Sequence, residues 1–259
     1  MFQSRFQVLA VVFCSALAAL AQSSPFQGGS ARAIPTHEVL SFHVEWRFIH
    51  AGDAKLTWGA SNGGDRRGWA AKLHLESAGL VSRLFKVDND YSSWANEGLC
   101  VANSMLKANE GSRRRETTVT FDGARRKARY TERDLSKNLT TSQETDIQPC
   151  ERDVIGALYQ LRAQRLEPGR SVEIPVSDGK RAAMVKVEAQ ERETVKTDYG
   201  TYKTIRYEAF LFNNVLYRRR GRLLIWLTDD DRRLPVQVRV RLPFYIGTVT
   251  LQLEKEGKA

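Results

Sequence analysis

Cysteine and histidine are scarce in this chain: three and four, respectively, among 259 residues. Cys14, Cys100 and Cys150 lie far apart, and none has the short ligand spacing of a structural zinc site. No G-x-S-x-G elbow and no phosphate-cradling glycine loop occurs, so two common routes to hydrolysis and nucleotide binding have no local signature. Beyond residue 21, charges interrupt every apolar stretch well short of the ~20 residues needed to span a bilayer as a helix. A net negative charge is also missing. Forty Lys and Arg face thirty Asp and Glu, for a formal charge of +10.

The chain begins with a single positive charge, Arg5, and then an apolar run from Val8 to Leu20 that closes on Ala19-Leu20-Ala21. A basic start, a short apolar stretch and an A-x-A site are the three parts of a secretory signal. Residues 1–21 are therefore expected to be a cleaved signal peptide, and the Ser/Gly/Gln-rich residues 22–33 a flexible leader. Bulky Val12-Phe13 before Cys14 argue against a lipoprotein site. The expected location is the periplasm or another exported compartment, with no transmembrane segment after signal removal. There Cys100 and Cys150 can close a disulfide.

From residue 34 onward the pattern is period two. Leu40, Phe42, Val44, Trp46 and Phe48 alternate with polar residues, as do Trp69, Ala71, Leu73 and Leu75. Ala51-Gly52-Asp53 and Asn62-Gly63-Gly64-Asp65 read as the turns of a β-meander, and Asp122-Gly123 as a hairpin turn. Gly79 to Phe85 reads as a short helical turn. One segment keeps helical spacing: Asp153 to Gln164, with Val154, Leu158 and Leu161 on one row and Ile155 and Tyr159 on the next, stopped by Pro168-Gly169. Asp153 is placed to cap it. Ten or more short strands with one substantial helix predict a mainly β, single-domain antiparallel barrel, half-barrel or sandwich over residues 34–259.

Ordered text in the second half carries a resemblance. It includes Cys150-Glu151-Arg152-Asp153-Val154-Ile155, Leu166-Glu167-Pro168-Gly169, Thr197-Asp198-Tyr199-Gly200-Thr201-Tyr202-Lys203, Ile225-Trp226-Leu227-Thr228-Asp229-Asp230, Arg233-Leu234-Pro235-Val236 and Ile246-Gly247-Thr248-Val249. In this order and spacing the chain resembles the exported bacterial family known as domain of unknown function 3108. The resemblance implies an envelope location and a β-rich fold. It brings no activity, cofactor or catalytic residue with it.

Candidate chemistry is thin. His43 and His74 fall on the polar side of neighbouring predicted strands, yet further converging ligands are lacking and no metal site is assigned. Asp229-Asp230-Asp231 reads as a solvated turn, and Trp226 as core. Arg113-Arg114-Arg115 and Arg125-Arg126-Lys127 belong to adjacent strands of one predicted hairpin and are the candidate binding residues, as a single cationic patch for phosphate or carboxylate. A third triplet, Arg218-Arg219-Arg220, lies further on. The expected function is a non-enzymatic envelope protein that binds a lipid, a glycan or an anionic membrane surface. Nucleic acid is not an expected partner and no cofactor is expected. The alternative is an enzyme acting on envelope polysaccharide with acids drawn from separate strands.

Overall fold

The structure is a computed structural model that describes residues 34–63, 66–243 and 247–257. The expected signal peptide and leader, and part of the Asn62–Asp65 turn, lie outside the described residues. Fourteen strands form one antiparallel sheet. The first eight are β1 (His37–Trp46), β2 (Ile49–Gly63), β3 (Arg66–Ser77), β4 (Val87–Asn96), β5 (Val101–Glu110), β6 (Arg113–Asp122), β7 (Lys127–Asp134) and β8 (Leu139–Asp146). The last six are β9 (Ser171–Ser177), β10 (Ala182–Thr197), β11 (Gly200–Ala209), β12 (Arg222–Thr228), β13 (Pro235–Arg241) and β14 (Thr248–Gly257). A one-turn helix, α1 (Gly79–Leu84), precedes β4, and α2 (Val154–Ala163) joins β8 to β9.

Sheet neighbours are sequence neighbours except at one place, where β1 pairs with β14. The sheet thus has two arms, β2 to β8 and β13 back to β9, meeting at that seam. It does not close, because β8 and β9 are both outer strands. Of the three expected architectures, one open sheet excludes the sandwich. The segment before α2 fills part of the gap between the arms. Val101 N–H donates to Glu151 O at 2.8 Å, and Arg152 exchanges backbone bonds with Pro175 and Ser177 on β9. Cys150 in this segment is bonded to Cys100 at the start of the β5 hairpin, closing a 50-residue separation.

The turn between β1 and β2 is not where the sequence places it. Ala51-Gly52-Asp53 lie inside β2, and the chain reverses at Arg47-Phe48, both in the left-handed region (φ 51° and 69°). Gly52 answers a different demand: a Cβ there would sit 2.1 Å from the Glu76 carbonyl oxygen on β3. β8, Leu-Thr-Thr-Ser-Gln-Glu-Thr-Asp, lacks apolar alternation and pairs with β7 along its whole length. The β9–β10 turn docks against the inner side of the far arm. Gly179 (φ 85°) leaves no room for a Cβ beside Val119, and Lys180 Nζ sits 4.4 Å from the centre of the Tyr130 ring.

Candidate functional site: an apolar cavity under helix α2

Helix α2 fixes the site. Asp153 caps it, its carboxylate accepting from Gly156 N–H at 2.6 Å and from the Tyr91 hydroxyl at 2.6 Å. Its two apolar rows meet different surroundings, with Ile155 shared between them at the edge of the cavity. Ile155 and Tyr159 are buried against β1 and β2, where the Tyr159 ring stacks 3.8 Å from Trp58. The other row, with Val154, Leu158 and Leu161, faces a cavity of about 360 Å³.

An ion pair holds the helix down. Arg162, 5 % exposed, grips Glu38 with both terminal nitrogens at 2.5 and 2.8 Å, while the Tyr159 hydroxyl donates to the same carboxylate at 2.7 Å. Burial alone would raise the Glu38 carboxyl. The hydrogen bonds and charge of Arg162, with Tyr159, outweigh it and hold the group below its usual range. The same surroundings push the Tyr159 phenol far up, burial first and then the Glu38 charge.

Strands from both arms and the seam wall the cavity, among them Phe42 on β1, Leu73 on β3, Val187 on β10, Ile225 on β12 and Val240 on β13. The lining holds no carboxylate, no base and, beyond the Tyr217 hydroxyl, no polar side chain. Val154 is exposed, and Leu158, Phe212 and Tyr217 are half-buried, so the lining reaches solvent. Close-packed interiors leave few voids larger than a water molecule. A void of this size, apolar and open, has the properties of a small-molecule pocket. What it can do chemically is take up hydrocarbon; it offers nothing to polarise a bond.

The loop between β11 and β12 adds charge beside it. Phe212 and Tyr217 pack with ring centres 5.6 Å apart, and Arg218, Arg219 and Arg220 follow directly, all exposed.

The arginines singled out from the sequence do not make one patch. In the register of β6 and β7, Arg115 faces Asp134 at one end of the hairpin, and Asp122 faces Lys127 at the other. Seven residues of strand, about 23 Å, separate them. One triplet opens β6 and the other occupies the β6–β7 turn, so the length of the strand holds them apart. Several members are also tied locally: Arg115 to Glu110 at 2.5 Å, Arg125 to Asp122 at 3.6 Å and Lys127 to Asp146 at 2.7 Å. His43 and His74 are likewise not neighbours, since β2 runs between their strands. His74 pairs with Asp90 at 2.9 Å, which leads the influences that raise its imidazole.

The acids of the Asp229–Asp231 turn border a notch of about 60 Å³ together with Glu167. Arg192 binds Glu167 at 2.5 Å and Asp229 at 2.8 Å, and Asp230 accepts from Thr228, Arg232 and Arg233 within its own turn. These carboxylates serve local structure. Trp226 is buried, its indole N–H donating to Glu193 at 2.6 Å. Sequence reasoning missed the cavity, because each of its walls has the alternation of ordinary core.

An open antiparallel sheet wrapped around one helix and an apolar hollow defines a barrel-like class of β protein. A solved structure of that description, the β-barrel-like protein of domain of unknown function DUF1849 from Brucella abortus, is similar over 88 % of this chain and 99 % of its own, with a TM-score of 0.53 and 9 % identity. A second, from Bacteroides fragilis and described as exported with a YmcC-like fold, covers 88 % and 98 % at a TM-score of 0.38 and 9 % identity. No curated protein matches the chain. The family itself is identified by sequence: residues 41–254 match the model of the protein of unknown function DUF3108, and the chain belongs to that family.

Proposed function

We propose that this protein is a non-catalytic carrier or receptor for an amphiphile of the cell envelope, with the apolar tail in the cavity under α2 and an anionic head at Arg218–Arg220. The observation that carries this reading is the chemistry of the lining: about 360 Å³ enclosed almost wholly by hydrocarbon. Transfer of methylenes from water into such a space is worth about 0.8 kcal/mol each. A glycan would find no hydrogen-bonding partner there apart from Tyr217, which favours a lipid over a sugar polymer. The three exposed arginines beside Tyr217 suit a phosphate or carboxylate head.

In this reading the chain acts outside the cytoplasm, with residues 1–21 removed as a signal, residues 22–33 as leader and residues 34–259 as one domain. The signal-like start and the Cys100–Cys150 bond support that compartment. Among the described residues no helix is long and apolar enough to cross a membrane.

The test is native mass spectrometry of protein purified from its own envelope, followed by organic extraction. A lipid bound one per chain and removed by extraction is the expected result. Rebinding should fail in Ala157→Phe, whose ring would enter the cavity from α2, and should weaken when Arg218, Arg219 and Arg220 are all changed to Ala. An apo mass, together with no salt-sensitive retention on anionic vesicles, would overturn the proposal.

A further inference from the structure

A second constellation lies on the outer face of the sheet, on the paired strands β1 and β2, opposite the buried Phe42 and Val44. The imidazoles of His43 on β1 and His50 on β2 stack with centres 4.1 Å apart. Asp53 stands directly opposite His43 in the β1–β2 register, and its Oδ1 lies 3.3 Å from His50 Nε2. One ligand atom from each of the three falls within 4.8 Å of the others.

A register irregularity creates this arrangement. Val44 pairs with Gly52, but the next residue, Glu45, pairs with His50, so Ala51 is an extra residue in β2. Without that bulge, period-two alternation would turn His50 to the inner face, away from Asp53. With it, His50 shares the outer face with His43. Bulges that re-aim a side chain concentrate at functional sites.

The electrostatics point the same way. Asp53 is directly opposite Glu76 on β3, and Glu76 is opposite Asp88 on β4, a cross-strand row of like charges that costs stability unless compensated. The Tyr199 phenol, at the tip of the β10–β11 hairpin, is raised by slight burial and then by Glu254, Asp198 and Asp53, so three carboxylates share this field.

We propose that His43, His50 and Asp53 form a binding site for one divalent transition-metal ion of the zinc class, the two stacked imidazoles turning about their Cβ–Cγ bonds to bring their in-plane lone pairs onto it. Two imidazoles and a carboxylate are ligands of intermediate softness that suit zinc and its neighbours better than magnesium or calcium. Three protein ligands leave a coordination position for water or for a partner's side chain, and the half-exposed setting allows exchange with solvent.

The full chain, stripped with a chelator, should be titrated with Zn²⁺ by calorimetry and with Co²⁺ by visible absorption. One equivalent of Zn²⁺ and the intense Co²⁺ bands of a tetrahedral nitrogen–oxygen site are expected. His50→Ala should weaken Zn²⁺ binding by at least the roughly tenfold that loss of an outer-shell partner already costs. His74→Ala, in the separate His74–Asp88–Asp90 group, should leave it unchanged. If circular dichroism shows that His50→Ala has not folded, Asp53→Asn keeps the size of the side chain and must show the same loss. No bound ion, equal affinity in wild type and the folded ligand variants, or loss confined to His74→Ala would each overturn the site.

Discussion

β12 and β8 are strands of the same sheet with opposite surroundings. Six of the seven residues of β12 are buried, whereas β8 is exposed along nearly its whole length. Leu223, Ile225 and Leu227 look into the core beside the cavity. On the reverse face Leu224 and Trp226 are covered, in part by the β10–β11 hairpin, which brings Val195 and Glu193 to them. The β10 bulge between Ala189 and Arg192 is what changes the facing of that hairpin. The far arm has only a small inner cluster around Val119, Phe121 and Tyr130. Its outer side is laced by exposed pairs such as Arg129–Glu144 at 2.9 Å. One meander topology therefore serves two purposes: a thick wall around a hollow, and a thin screen held by backbone pairing.

The comparison can be broken most severely at the helix anchor. Glu38→Ala should leave Arg162 buried without its partner and cost about 3–5 kcal/mol, read from urea unfolding. The same carboxylate predicts an acid response. Its folded value lies below the unfolded 4.5, so its contribution is complete above that pH and is lost as pH falls through the folded value. Glu38→Gln should flatten the part of the acid unfolding curve below about pH 4.5.

Next in size is the link between the thin arm and the segment entering α2. Replacing Cys100 and Cys150 by Ser should destabilise the protein by about 4 kcal/mol, the chain-entropy value for a loop of this length. Amide exchange should then quicken in β5 to β8 before it does in β12, separating the arms in time. Two coincident exchange profiles would show that the arms open as one unit. A smaller effect is expected of Ala157→Phe, which should abolish uptake of a fluorescent fatty acid while changing stability by no more than about 1–3 kcal/mol. Smallest of all, Glu144→Ala on β8 should shift stability by less than about 1 kcal/mol, because its partner Arg129 is solvated.

Strands that present one face to the core were legible in the sequence. Leu40, Phe42 and Val44 alternate because one side of β1 is buried, and α2 showed its helical spacing and its Asp153 cap. β8 was not legible, since with both faces wet it keeps no apolar rhythm. The first turn misled because Arg47 and Phe48 adopt left-handed backbone without glycine, while Gly52 nearby meets a contact with β3. The Glu38–Arg162 pair and the cavity join residues more than a hundred positions apart, and period-two patterns carry no information about which wall faces which. Even the two rows of α2 looked alike, although Tyr159 packs on Trp58 while Val154, Leu158 and Leu161, with Ile155 from the first row, border the cavity.

The seam between β1 and β14 has a consequence for how the chain reaches this state. Every other strand pairing is between sequence neighbours, so each arm can zip up as its residues become available. The seam alone requires residues such as Val44 and Leu251 to find each other across nearly the whole chain. Loop closure of that length is slow, and the cavity has no complete wall until it happens. The last strand thus acts as a latch. Only two half-walls exist before that strand arrives and a finished container only afterwards, which makes the completed hollow a report that the first and last strands have met.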